Sequence, residues 1–286
     1  MKQTELITNQ DGSIFHLKLK PGELSDKIII VGDPGRVEMI GGNLDKISMR
    51  RSNREFHSIT GSYKSKRISV ISSGIGTDNI DILINEVDAL FNYDLSTKKR
   101  LDSTRSIDFI RVGTSGALQS DLQPGEIIIS KKAVGFDGVM NFYSGIEEIT
   151  DPEFEKAFME HMAWPKRWST PYIINADKHL YDKFIKAGYT GGITISTPGF
   201  YAPQGRTLHL EPYHKDINDR FLSFSYKGER ILNYEMESSA IYGLSSLLGH
   251  RAITLCSAIG NRVSGKFVSD YKPIMNELSK KVLDII

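Results

Sequence analysis

The chain has 286 residues, 40% of them hydrophobic and 25% charged, with a net charge of +1. That composition suits one large α/β domain and excludes a polybasic nucleic-acid binder or a long acidic tail. Cys256 is the single cysteine, so there is no internal disulfide framework and no cysteine zinc cluster. Residues 1–10 lack an apolar core and do not read as a signal peptide, and no apolar run approaches the ~20 residues that span a bilayer. The expected setting is the cytoplasm, with neither membrane nor nucleic acid as partner.

The chain opens on Phe15-His16-Leu17, where the histidine reads as a surface residue. Lys27-Ile28-Ile29-Ile30-Val31 is a short apolar run suited to a strand buried on both faces. It ends in Gly32-Asp33-Pro34-Gly35-Arg36, and residues 37–40 begin a helix with proline in its first turn. A strand, a glycine turn and a helix start offer backbone N–H groups to an anion, and Arg36 adds a fork of donors. The same residues also fit a plain tight turn with a solvated arginine.

Arg50-Arg51-Ser52-Asn53-Arg54-Glu55-Phe56-His57 is dense in cations and precedes strand-like stretches at 58–63 and 67–72. Ser73-Gly74-Ile75-Gly76 is a second glycine-rich strand exit, followed by a helix with Ile80, Leu83, Ile84, Val87 and Leu90 on one stripe. Residues 92–106 are polar and read as a loop or insertion. Residues 107–112 form the next buried strand, which is expected to exit into Gly113-Thr114-Ser115-Gly116-Ala117. Arg111 inside that strand needs an anionic partner, either a core carboxylate or a ligand.

Further strands are expected at 127–130, 171–175 and 192–196, a mixed loop at 135–149, and helices at 151–163 and 177–187. Thr197-Pro198-Gly199-Phe200-Tyr201-Ala202-Pro203-Gln204-Gly205-Arg206 follows the last of these strands. Its amide, guanidinium and rings suit a planar heterocycle, and they equally suit an ordered surface loop. Ile231-Leu232-Asn233-Tyr234-Glu235-Met236-Glu237-Ser238 passes from strand to helix, the junction at which an α/β sheet usually places its ligand. A carboxylate buried there needs a partner, and Glu237 is the candidate ligand-holder, with Glu235 read as structural. Residues 251–259 form a final core strand that exits at Gly260-Asn261-Arg262, and a helix closes the chain over 269–286. The alternation of strands and helices predicts a single α/β domain over 1–286, with a central mixed β-sheet flanked by helices. The loops that carry Gly, Arg, Thr, Gln and Glu all follow strands, so they should gather at one end of the sheet.

Five of these motifs, in this order, are similar to those of the nucleoside phosphorylase family of the uridine and hexameric purine type. They are Gly32-Asp33-Pro34-x-Arg36, Arg54-Glu55-Phe56, Gly74-Ile75-Gly76, Arg111-x-Gly113-Thr114-x-Gly116-Ala117 and Tyr234-Glu235-Met236-Glu237-Ser238. The resemblance runs from about Phe15 to the C-terminus and implies a phosphorylase/hydrolase-like fold and a pentosyltransferase. Phe200-Tyr201-x-x-Gln204-x-Arg206 resembles the pyrimidine-reading segment of the uridine-cleaving branch. Purine enzymes of this type carry an Asp acid after the last core strand, and here that region reads Ala258-Ile259-Gly260-Asn261-Arg262, with no Asp.

The resemblance therefore implies cleavage of uridine by phosphate to uracil and ribose 1-phosphate, without a required cofactor and with phosphate as co-substrate. Gly32, Arg36, Arg111 and Thr114 would bind phosphate, and Arg54 would complete that site from a neighbouring subunit. His16, also from the neighbour, would reach the ribose, alongside Thr114, Met236 and Glu237. Phe200, Gln204 and Arg206 would hold the base. Arg36, Arg111, Glu237 and Arg206 would carry the catalysis. The family's uridine enzymes place a monovalent cation, K+, at the subunit interface through the equivalent of Glu55. The chain departs from the family there, with Thr77-Asp78-Asn79 in place of Gly-Pro-Ser. A homodimer would be the smallest active unit, and the family also forms hexamers. The competing readings are a purine nucleoside phosphorylase, a nucleosidase that uses water, and a non-catalytic nucleoside-binding protein.

Overall fold

The computed structural model describes residues 2 and 4–286. Met1 and Gln3, which belong to the stretch read above as lacking an apolar core, lie outside the described residues. The elements in chain order begin with β1 (Lys27–Val31), α1 (Pro34–Gly41), β2 (Lys46–Asn53), β3 (Phe56–Tyr63), β4 (Lys66–Ser72) and α2 (Thr77–Asn92). A small hairpin of β5 (Tyr93–Asp94) and β6 (Lys99–Arg100) follows, then β7 (Asp108–Ala117), β8 (Ile127–Gly135), α3 (Pro152–Met162), β9 (Tyr172–Asn175), α4 (Lys178–Ile185) and β10 (Thr190–Ser196). The chain ends with α5 (Ile217–Ser223), β11 (Ser225–Tyr226), β12 (Glu229–Glu235), α6 (Ser238–Leu248), β13 (Arg251–Asn261) and α7 (Lys272–Ile285).

Among the described residues the main sheet has eleven strands, ordered β11-β12-β10-β8-β13-β7-β1-β4-β3-β2, with β9 paired to β8. β12 also pairs antiparallel with β7, through Asn233 with Ala117 and Tyr234 with Gly116. The run β12-β10-β8-β13-β7 therefore closes on itself, while β1, β4, β3 and β2 extend from it as an open flank. The sheet is mixed: β1 is parallel to β4 and β7, whereas β13 is antiparallel to β8. Helices α2 and α6 pack against each other on one face.

Local chemistry explains the element starts. Asp33 caps α1 by accepting from the Gly35 N–H at 2.8 Å, with Pro34 in the first turn. Asp151 and Asp177 cap α3 and α4 in the same way. The apolar stripe of α2 (Ile80, Leu83, Ile84 and Val87) is fully buried in the main core. Gly249, with φ +78°, ends α6 in the left-handed conformation that glycine adopts without strain.

The structure departs from the sequence expectations in several places. The residues 113–117 are not a strand exit: β7 continues to Ala117, because its glycines sit inside a paired ladder with β13. β13 likewise runs on to Asn261. The cation-rich segment at 50–53 is strand β2, whose alternating exposed face lies at the sheet edge. Residues 92–106 contain the β5–β6 hairpin, and α5 and β11 were not anticipated.

Candidate active site

The turns after β1, β4, β10 and β12 and the ends of β7 and β13 meet in one cleft of about 1060 Å³. Gly32, Arg36, Arg111, Thr114, Phe200, Gln204, Arg206, Met236 and Glu237 all line it, as does Glu55. Nine residues scattered over the sequence are thus brought to one place by strand order.

At one end the charges are buried and bound to each other. Arg111 is 4% exposed, and its guanidinium contacts Glu237 Oε2 and, at 3.1 Å, Glu235 Oε2. Its other terminal nitrogen donates to Cys256 Sγ at 3.1 Å. Gly113 is required here, since a β-carbon would stand 2.1 Å from Arg111 Nη1. Burial lowers the Arg111 pKa, but Glu235 and Glu237 outweigh it and hold the group above its ordinary range. Burial pushes the Cys256 thiol up to about 12, so it sits as a neutral acceptor.

Sequence reasoning gave Glu237 a ligand as its only partner. The structure supplies two protein partners, Arg111 and the Gly76 N–H at 2.8 Å. Gly76 stands at the N-terminus of α2 with φ +98°, so the helix start aims a donor at this carboxylate. Burial, reinforced by the Glu235 charge, still raises the Glu237 pKa against the opposing pull of Arg111 and Gly76. Glu235 does a different job. It accepts from Ser196 Oγ at 2.5 Å, from Glu237 N at 3.0 Å and from Ser238 N at 3.0 Å. Glu235 therefore serves the first turn of α6, while the side chain of Glu237, at the N-cap position, makes no capping bond. That division frees the Glu237 carboxylate to face the cleft.

Arg36, on the first turn of α1, donates through Nη1 to the Val112 carbonyl at 3.1 Å. Its Nε is buried with no partner among the described residues. Burial, and then the neighbouring Arg111 cation, hold the Arg36 pKa below its ordinary value. Arg36 is thus a cation in the cleft with a buried donor to spare.

At the other end, Arg206 lies over the Phe200 ring, 3.7 Å from its centroid. It donates to the Phe200 carbonyl at 2.6 Å and to Gln204 Oε1. Gln204 is 2% exposed, and its Nε2 donates to Thr197 Oγ1 at 2.8 Å. Tyr234, quoted in a motif but given no role, forms the floor: its ring lies 5.4 Å from the Arg206 guanidinium and fills the space a Gly116 side chain would need.

His16 and Arg54 do not line this cleft. The Asn53 side chain, next to Arg54 in the chain, donates to the His16 carbonyl at 2.7 Å. The His16 ring meets Glu86 at 2.5 Å, and Arg54 is exposed with φ +52°. Sequence reasoning missed Ile259, Arg262, Lys266 and Phe267, which also line the cleft. Their signal was positional, since they follow the final core strand as the other site segments follow theirs. Asn261, in the 258–262 segment that carries no Asp, has its amide fully engaged. It donates to Gln119 O at 2.8 Å and Leu122 O at 2.7 Å and accepts from Val263 N and Ser264 N.

A family model described as the phosphorylase superfamily matches residues 26–286. A uridine phosphorylase of Thermococcus kodakarensis is 30% identical over 266 residues, covering 90% of this chain and 81% of the relative. A DeoD-type purine nucleoside phosphorylase of Oceanobacillus iheyensis is 26% identical, covering 95% and 98%. Among solved structures, a Trypanosoma brucei nucleoside phosphorylase described as showing uridine phosphorylase activity superposes with a TM-score of 0.88 at 29% identity, covering 97% of this chain and 98% of that one.

Proposed function

The chain belongs to the phosphorylase superfamily, and from that premise we propose that it cleaves uridine with inorganic phosphate to give uracil and ribose 1-phosphate. The observation that carries the reading is one cleft with the guanidiniums of Arg36 and Arg111 at one end, the buried Arg36 Nε lacking a partner among the described residues, and the Gln204–Arg206 pair at the other. Glu237 lies between them in function, tied to Arg111.

Breaking the glycosidic bond places positive charge on the sugar and negative charge on the departing base. Phosphate, bound by Arg36, Arg111, Thr114 and the Gly32 turn, stabilises the first and then attacks the anomeric carbon. An anion would also give the buried Arg36 Nε the partner it lacks. Glu237 accepts from the ribose hydroxyls, with Met236 beside it, and holds the sugar for attack. Because Arg111 touches Glu237, the same guanidinium links the phosphate to the sugar's carboxylate. Uracil leaves as an anion spread over its ring carbonyls. Arg206 and Gln204 donors aimed at that charge supply on the order of 3 kcal/mol each. No strong acid is then needed, and the lack of an Asp in residues 258–262 supports this over a purine reading.

His16 and Arg54 do not line the cleft of their own chain, and that suits a role in the cleft of a second copy. The active unit in this proposal is a homodimer, with a hexamer as its larger form. A K+ ion near Glu55 belongs to the same proposal, as Glu55 lines the cleft against Gly74.

A substrate panel of uridine, thymidine, inosine and adenosine, each with and without phosphate, tests the reading. Phosphate-dependent turnover is expected with uridine. Turnover of inosine alone, or equal rates without phosphate, would overturn it.

A further inference from the structure

We propose that Thr197 is a positioning residue that fixes which way round the Gln204 amide faces, and thereby sets the choice of uracil over cytosine. This rests on the uridine reading above and concerns how its base site is built.

Thr197 directly follows β10 and is fully buried. Its backbone N–H donates to the Glu235 carbonyl at 2.9 Å. Its hydroxyl lies within reach of three groups: the Gly199 carbonyl at 3.0 Å, the Glu235 carbonyl at 3.2 Å and Gln204 Nε2 at 2.8 Å. A hydroxyl has one hydrogen, and the two carbonyls can only accept. The hydrogen therefore goes to a carbonyl, and a lone pair is left for Gln204. A lone pair takes an N–H, so the amide nitrogen must face Thr197.

The other side of the amide imposes the same orientation. Arg206 has donors only, and one of them meets Gln204 Oε1. A turned amide would set N–H against N–H at Arg206 and oxygen against a hydroxyl whose hydrogen is already used. Two hydrogen bonds would be lost, one of them charge-assisted.

Both residues line the cleft, where Gln204 keeps a lone pair on Oε1 and a second N–H on Nε2. The reader therefore presents donor, acceptor, donor: Arg206 N–H, Gln204 Oε1, Gln204 Nε2. Uracil presents the complement, with O4 accepting, N3–H donating and O2 accepting. Cytosine presents an amino donor where O4 stood and a lone pair at N3, so it opposes both Arg206 and Oε1. A freed amide that turned would offer its N–H₂ to N3, which suits cytosine and opposes uracil. Thr197 is what denies that turn from the side Arg206 does not guard.

The test compares inhibition of uridine phosphorolysis by free uracil and free cytosine in wild type, Thr197→Val and Thr197→Ser. In Thr197→Val, which keeps the shape and removes the hydroxyl, the uracil-over-cytosine preference should narrow by about tenfold, the weight of one hydrogen bond. Uridine KM should rise while phosphate KM stays put. Thr197→Ser restores the acceptor and should restore the preference. A purely structural role would weaken uracil, cytosine and phosphate alike. An unchanged uracil-to-cytosine ratio in Thr197→Val, or a failure of Ser to rescue, overturns the proposal. If Thr197→Val does not fold, Thr197→Ala against Thr197→Ser is read in the same way. Wild-type turnover of uridine separates the two claims: its absence sinks the uridine reading, whereas turnover with an unmoved ratio sinks the role of Thr197 alone.

Discussion

The two ends of the cleft hold their charges by different means. At the Arg111 end, the side chains stand on strands β7 and β12 and on the start of α6, and a buried cation is shared by two carboxylates. At the Arg206 end, the side chains stand on a connection between β10 and α5, and their bonds reach mostly within ten residues of sequence. The first is part of the core, so its chemistry and its stability are coupled. The second is an addition to the core, so its chemistry should be separable from stability.

Substitutions can break that contrast. Arg111→Met has the largest expected effect. It strands two buried carboxylates, which costs on the order of 3–5 kcal/mol of stability, and it removes the proposed phosphate donor, lowering kcat/KM by roughly a hundredfold or more. Urea denaturation and steady-state kinetics read the two losses, and a variant that lost activity at wild-type stability would contradict the coupling. Arg206→Ala should lose about a hundredfold in kcat/KM for uridine while its denaturation midpoint barely moves. A large fall in midpoint would place that loop in the core after all. Cys256→Ala removes the sulfur beneath Arg111 and should cost about 1 kcal/mol, with a rise in phosphate KM and little change in uridine KM. Equal changes in both would detach Cys256 from Arg111.

The smallest effect is in pH. Burial holds the Glu237 pKa above its ordinary value of 4.5. If activity needs the ionised carboxylate, kcat/KM should fall on the acid side at a higher pH than an ordinary glutamate gives. Stability carries the opposite sign. The folded state holds this proton more tightly than the unfolded chain, so the Glu237 contribution falls as pH rises from 4.5 to the raised value, and then levels off. A pH–rate profile of wild type, with its acid limb in the ordinary glutamate range, would count against Glu237 as the group observed.

The same contrast explains what the sequence disclosed. Apolar runs such as 27–31 and the stripe of α2 announced themselves, because one residue type repeated at strand or helix period has few other uses. The glycines of β7 and β13 misled, since a glycine that admits a packed side chain, as Gly113 admits Arg111 and Gly116 admits Tyr234, looks in one dimension like a turn. Arg111 announced a need for an anion, but that Glu235 and Glu237 jointly meet it is a contact across more than a hundred residues, which local pattern does not carry. The division of labour between the two glutamates was only half legible. Glu235 could be called structural, yet its service to the α6 amides depends on the geometry of the β12–α6 junction. The stretch after Arg206 was opaque: α5 is only seven residues long, and its two buried residues, Ile217 and Phe221, are too few to show a helical period.

In the proposed reaction, phosphate is the attacking group, held at the Arg111 end while the Arg206 end releases uracil. Phosphorus NMR of the purified protein incubated with uridine and inorganic phosphate tests that directly. The expected result is ribose 1-phosphate appearing in step with uracil as inorganic phosphate is consumed. Release of uracil with free ribose and no loss of phosphate would contradict it.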